Sequence, residues 1–145
     1  MKRISNKILI DADKLYEAYG FDFKASWYPI YRLVLSEKKM SITEIAQTLQ
    51  VKHPSIVYLI KQMLAAGIIS QSQGKKDKRY HLIHITKKGE NLSNELQEFW
   101  DDHRKVLENI QIINNQNLYK LLVEFEKEID KESIYERVMK IKKTN

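Results

Sequence analysis

The chain's fold is decided in residues 41–89, SITEIAQTLQVKHPSIVYLIKQMLAAGIISQSQGKKDKRYHLIHITKKG, which predict two short helices, a basic β-hairpin and the start of another helix. Ser41 and Glu44 match a capping box, in which the hydroxyl and the carboxylate each pair with a backbone N–H of the first turn. The second helix opens with Pro54, whose missing N–H would be unpaired there anyway, and ends at Gly67. Its predicted buried stripe is Val57, Ile60 and Leu64.

Two strands are predicted after the helix pair, over residues 68–73 and 79–86, because the second alternates with a period of two. The polar, glycine-containing segment 74–78 is the predicted tip of this hairpin, which we call the wing. Thr86 can cap a long helix over residues 86–113, whose apolar residues recur on one face. Further helices are predicted over residues 5–20 and 25–36, and after the Asn-rich break at 114–117.

The positive charge of the chain is concentrated in one segment. Residues 51–88 hold eight Lys and Arg against one acid, a net charge of +7, whereas the other residues hold 17 basic and 18 acidic side chains. The formal net charge of +6 is therefore accounted for by this segment. A localised basic excess is typical of a surface that binds a polyanion.

The bulk composition narrows the class of protein. The 145 residues, 43% of them hydrophobic, suit one domain with its own core, and no apolar run approaches the ~20 residues that span a bilayer. The chain has no cysteine, so no disulfide or Cys-rich zinc site is expected. The N-terminal apolar stretch is too short for a secretory signal. We expect a cytoplasmic protein that has no cofactor and no membrane association.

A helix pair joined by a short turn is the unit that places its second helix in the major groove of double-stranded DNA. The candidate DNA-binding residues on the helices are Ser41, His53, Ser55, Ile56, Tyr58, Leu59 and Gln62. On the wing they are Lys75, Lys76, Lys78 and Arg79, which can follow the backbone or enter the minor groove. A role in the core or in a protein contact is as compatible with Ile56, Leu59 and Met63 as a contact with DNA.

These residues resemble the MarR-type (multiple antibiotic resistance repressor) winged helix-turn-helix regulators. The matching elements are Ser41-x-x-Glu44-Ile45-Ala46, His53-Pro54-Ser55-Ile56-Val57, Leu64-x-x-Gly67-Ile68-Ile69, Asp77-x-Arg79 and Ile85-Thr86-Lys87-Lys88-Gly89. The implied fold is mostly α with a small β-hairpin wing, in one domain over residues 1–145. Residues 25–89 would be its DNA-binding part, and 1–20 with 90–145 its helical dimerisation part.

The resemblance also implies a function. It predicts a homodimeric repressor that binds a palindromic operator and is released by a small, often aromatic, effector. In the family the wing Asp and Arg interact, which assigns that role to Asp77 and Arg79. The chain departs from the family pattern in three places, at Gln50, where many relatives have glycine, at His53 and at Leu59.

Some candidate residues also have a purely structural explanation, and other functions are compatible with the sequence. Trp27, Tyr28 and Tyr31 are candidates for an effector pocket, although aromatic residues at helical spacing more often pack in a core. The four histidines show no metal-ligand spacing, and no nucleophile motif or phosphate loop indicates an enzyme. Two alternatives stay open: a winged helix that binds protein or regulates an enzyme on another chain, and a non-specific architectural DNA binder.

Overall fold

The computed structural model describes residues 2–73 and 81–144, which form two compact units, Met1–Glu95 and Leu96–Asn145. The predicted fold class is confirmed, because the described chain is mostly α-helical with a small antiparallel sheet. The helices are α1 (Lys2–Ala18), α2 (Tyr28–Glu37), α3 (Ile42–Thr48), α4 (His53–Ala65), α5 (Lys87–Ile110), α6 (Leu118–Lys131) and α7 (Ile134–Thr144), with a 3-10 turn at Ala25–Trp27. The strands are β1 (Lys39–Ser41), β2 (Ile69–Gln73), β3 (His81–Ile85), β4 (Ile112–Ile113) and β5 (Gln116–Asn117).

An aromatic cluster joins α1 to α2 in the first unit. Phe23 is buried and lies 5.1 Å from Tyr16, 5.8 Å from Trp27 and 5.3 Å from Tyr31 between ring centroids. The contacts with Trp27 and Tyr31 are edge-on, the arrangement that aromatic quadrupoles favour. The Asp13 carboxylate of α1 accepts the Ala25 backbone N–H at 2.7 Å, which fixes the start of the 3-10 turn.

The two predicted strands, β2 and β3, belong to a three-stranded sheet, whereas the sequence predicts a two-stranded hairpin. The strand order is β1-β3-β2, both pairings are antiparallel, and Ile83 of β3 lies between Met40 and Gln71. β1 was not predicted, because its three residues are too few to show an alternating pattern. Ile83 is fully buried, so the central strand connects the wing to the core.

The turn between α3 and α4 has the geometry that a glycine would favour. Gln50 has a φ of +52°, and the Val51 N–H donates to the Ala46 carbonyl at 3.0 Å, which closes α3 with a left-handed residue. The predicted capping box at the other end of α3 is confirmed, because Ser41 and Glu44 bond each other's backbone N–H groups. Both ends of this short helix are thus fixed by local hydrogen bonds.

The buried stripe of α4 differs from the predicted one. The fully buried residues are Ile56, Ile60 and Met63, while Val57 and Leu64 are half-buried. Both sets have helical spacing, so periodicity alone did not distinguish them. The observed stripe turns a different side of α4 toward the core.

In the second unit, α5 ends at Ile110 and not at residue 113, because residues 112–117 form a small hairpin. Its turn residues Asn114 and Asn115 have φ values of +51° and +62°, which match the two-residue turn that asparagine favours. Ion pairs such as Lys131–Glu128 and Lys140–Glu132 occur along the last helices. Among the described residues, no helix is long and apolar enough to cross a membrane.

We predict that Gln50→Gly raises the free energy of unfolding by up to about 1 kcal/mol, because glycine adopts the left-handed conformation without the Cβ penalty. Gln47→Gly, the same change within α3, provides the control and is expected to lower stability by roughly 0.5–1 kcal/mol. Urea unfolding followed by circular dichroism measures both. Equal destabilisation by the two substitutions would contradict the role of Gln50 as a left-handed helix end.

Candidate nucleic-acid interface

The N-terminal half of α4 presents an exposed face of polar and aromatic side chains. His53 and Ser55 are exposed, and Tyr58 is 62% exposed although its ring is large. Lys52 precedes this face and Lys61 lies one turn beyond Tyr58, both exposed. A helix of this diameter fits the major groove, and its N-terminal residues are then the ones that meet base edges.

Two residues that were predicted to contact bases instead contact other parts of the protein. Ile56 is only 1% exposed and belongs to the core, which corrects its assignment as a DNA-binding residue. The Gln62 Oε1 atom accepts the indole N–H of Trp27 at 3.1 Å, so this half-buried amide joins α4 to the 3-10 turn. Leu59 is half-buried and can reach DNA with only part of its side chain.

Ser41 also serves the fold and does not present its hydroxyl to a ligand. The residue is 4% exposed, its hydroxyl donates to the Glu44 carboxylate at 2.8 Å, and the same oxygen accepts the Glu44 N–H at 3.2 Å. Hydrogen bonds from the Ser41 backbone and hydroxyl hold the pKa of the Glu44 carboxyl below its usual value. The predicted phosphate contact at Ser41, through the free backbone N–H groups of the α3 start, does not use this hydroxyl and stays a prediction.

The wing candidates lie outside the described residues. Lys75, Lys76, Asp77, Lys78 and Arg79 belong to the segment between β2 and β3 in the chain. At the described base of the wing, Ser72 of β2 and His84 of β3 form a hydrogen bond of 2.6 Å across the two strands. The exposed surface of this base is therefore polar.

The aromatic candidates for an effector pocket are mostly core residues. Trp27 is 3% exposed, Tyr31 is fully buried and Tyr28 is half-buried. The Tyr31 hydroxyl donates to the Gly89 carbonyl, and burial raises the pKa of this phenol above its usual value. In this conformation Trp27 and Tyr31 offer no surface to a small molecule. Among the described residues, no group of three or more His, Cys, Asp or Glu could hold a metal ion.

The site lies within a recognised domain. Residues 30–89 match the family model described as a winged helix DNA-binding domain. These residues have the winged-helix fold. The matched residues include α4 and all three strands of the wing sheet.

A curated relative of this chain is described as a transcriptional regulator. The chain is 24% identical over 88 residues to the HTH-type transcriptional regulator PetP of Rhodobacter capsulatus, a match that covers 61% of this chain and 52% of PetP. The chain thus spans about half the length of this curated relative.

Solved structures extend the likeness across most of the chain. The DNA complex of MepR from S. aureus matches with a TM-score of 0.72 at 17% identity and covers 90% of this chain and 93% of MepR. A MarR variant from E. coli bound to operator DNA gives 0.67 at 16%, covering 87% and 91%. The regulator PcaV of Streptomyces coelicolor, solved with its natural ligand, gives 0.68 at 11%, covering 86% and 89%. The predicted resemblance to MarR-type winged-helix proteins is confirmed at the level of the fold.

We predict that Ile56→Ala lowers the free energy of unfolding by about 2–5 kcal/mol, because it opens a cavity in the core. Tyr58→Ala, two residues away on the exposed face, is expected to change it by less than about 0.5 kcal/mol. Chemical denaturation of the two variants beside the unmodified protein tests the contrast. A stable Ile56→Ala variant would mean that the α4 stripe is not the one described.

Proposed function

We propose that this protein is a sequence-specific DNA-binding transcriptional regulator, acting as a repressor in the cytoplasm. The observation that carries the proposal is the exposed N-terminal face of α4 in a winged-helix domain, with His53, Ser55 and Tyr58 free of the core. Buried stripes hold the opposite side of α4, so this face is presented on a fixed support. The relatives reported above, described as regulators or as DNA complexes, support the same reading and favour it over an enzyme.

The charge distribution supports a polyanion as the ligand. The net charge of +7 belongs to residues 51–88, a segment that contains the mostly neutral exposed face of α4. Phosphate contacts supply affinity that depends on salt, whereas contacts to base edges supply specificity. We therefore assign most of the affinity to the wing residues Lys75, Lys76, Lys78 and Arg79, and the specificity to α4.

We propose that the protein acts as a homodimer on a palindromic operator. The second unit exposes many large apolar side chains, among them Ile110, Leu121, Leu122, Phe125, Ile134, Val138 and Ile141, and α1 exposes Ile4, Ile8, Leu9, Ile10 and Leu15. Soluble monomers rarely expose apolar surface on this scale, and a second copy of the chain would bury it. A two-fold dimer would also place two α4 helices on half-sites about 34 Å apart.

We further propose that a small molecule, of the aromatic class that the family resemblance implies, releases the DNA. The ligand complex of PcaV supports a ligand-binding role for this fold. Such a ligand can act only by binding one arrangement of the two α4 helices better than the other. Because Trp27 and Tyr31 are buried, Tyr28 is the one of the three aromatic candidates that keeps partial exposure.

Duplex fragments selected from the source genome by the purified protein test the main proposal. We expect the selected duplex to bind roughly a thousandfold or more tighter than a scrambled duplex in fluorescence anisotropy at fixed salt. Arg79→Ala should weaken operator binding by about tenfold or more, whereas Lys127→Ala, the loss of one positive charge on α6, should not. Lys75→Ala should chiefly reduce the salt slope, by about 1.

The outcomes separate the alternatives. A similar affinity for all duplexes would indicate an architectural DNA binder. The absence of salt-dependent DNA binding would favour a winged helix that contacts protein or regulates an enzyme on another chain. Unchanged operator affinity in Arg79→Ala would remove the assigned wing contact.

The dimer has its own test in sedimentation equilibrium at micromolar concentration, where we expect the mass of two chains. Phe125→Glu should shift the equilibrium toward the monomer, because it places a charge on a side chain that is 53% exposed within the apolar surface. Lys120→Glu, a charge change on a different side of α6, controls for charge alone. A monomeric unmodified protein would overturn the dimer.

A further inference from the structure

The first turn of α5 bonds three consecutive carbonyls at the C-terminal end of α4. The Lys88 ammonium donates to the Ala66 carbonyl at 2.8 Å, and the Thr86 hydroxyl donates to the Gly67 carbonyl at 2.7 Å. The Thr86 backbone N–H donates to the Ile68 carbonyl at 3.1 Å. The carbonyls at a helix end are left without intrahelical partners and carry partial negative charge, so a lysine there satisfies both the bond and the field.

The two segments are also in close backbone contact. A Cβ on Gly89 would come within 2.2 Å of the Ile68 carbonyl oxygen, so glycine is required at this contact. The Thr86 hydroxyl in addition accepts the Gly89 N–H at 3.0 Å, which caps α5 at the same point. The end of α4 and the start of α5 therefore form one junction.

Lys88 and Lys87 have different surroundings although they are neighbours. Lys87 pairs with the exposed Glu90 carboxylate at 3.3 Å on the surface of α5, whereas Lys88 reaches back to α4. Both belong to the eight basic residues of segment 51–88, whose charge excess predicts a polyanion ligand. The structure gives Lys88 a partner within the protein that Lys87 does not share.

We propose that Lys88 is a positioning residue for DNA recognition, which sets the orientation of α4 by holding its C-terminal carbonyl and does not itself bind DNA. The proposal rests on the proposed function, since it concerns how α4 is aimed at the operator. A helix of 13 residues is about 20 Å long, so a tilt of roughly 5° at one end displaces the other by about 2 Å. Contacts to base edges tolerate displacements of only about 0.5 Å.

The loss of this bond therefore reduces sequence preference and leaves non-specific binding unchanged. Phosphate contacts adapt to small shifts because they involve flexible side chains and a long-range field, whereas base contacts require fixed geometry. A lysine that contacted a phosphate directly would behave in the opposite way. It would weaken binding to every duplex and contribute about 1 to the salt slope.

The test compares Lys88→Met with Lys87→Met, which remove the same charge from adjacent positions and keep the aliphatic stem. Each variant is titrated with the selected operator duplex and with a scrambled duplex over a range of salt. We expect Lys88→Met to lower the ratio of operator to scrambled affinity by about tenfold relative to Lys87→Met. The scrambled-duplex affinity and salt slope of the two variants should agree. Lys88→Arg, which keeps a charged donor, should restore most of the ratio.

Each other result contradicts the proposal. Equal ratios in the two methionine variants would show that the Ala66 bond does not position α4. A drop in affinity for both duplexes in Lys88→Met, with a smaller salt slope, would make Lys88 a phosphate ligand. If the unmodified protein shows no operator preference, the proposed function itself fails, and this result is distinct because it precedes any substitution. Thermal melting of all variants checks that the differences do not arise from unfolding.

Discussion

The close backbone contact between Gly89 and Ile68 is the constraint on which the arrangement of the first unit depends. No side chain fits at residue 89, because a Cβ would overlap the Ile68 carbonyl. The Tyr31 hydroxyl bonds the carbonyl of that same glycine, so α2 is fixed to the junction as well. Three helices, α2, α4 and α5, are thereby brought to one point. The exposed face of α4 keeps its direction because the other end of the helix is held here.

The remaining residues of α4 either pack against the protein or stay exposed. Ile56, Ile60 and Met63 fill the core, and Gln62 bonds Trp27, so these four residues serve packing. His53, Ser55 and Tyr58, toward the N-terminal end, contact little of the protein and stay exposed. One helix thus combines a buried, supporting side with an exposed face toward its N-terminal end.

Much of this fold could be predicted from local chemistry, and the exceptions have physical causes. The capping box of Ser41, the helix stop at Gly67 and the helix cap at Thr86 are encoded within a few residues, and the structure has them all. The orientation of α4 was not predictable, because apolar residues occupy more than half of its circumference and two stripes have the same spacing. β1 and the Trp27–Gln62 bond depend on residues distant in the chain, which no local pattern contains. The burial of Ile56 corrects its place in the candidate site, whereas the other predicted DNA contacts stay predictions.

The structure also changes how the basic segment is interpreted. Of its eight cations, Lys88 bonds the end of α4 and Lys87 pairs with Glu90, so two are engaged within the protein. Lys52 and Lys61 are exposed beside the α4 face, and the other four belong to residues 75–79. A charge count therefore overstates the part of the segment that can meet a phosphate, because lysine also satisfies helix ends. The same physical property, a flexible donor with a positive charge, can bind a phosphate at one position and support a helix end at another, and the partner within reach decides between them.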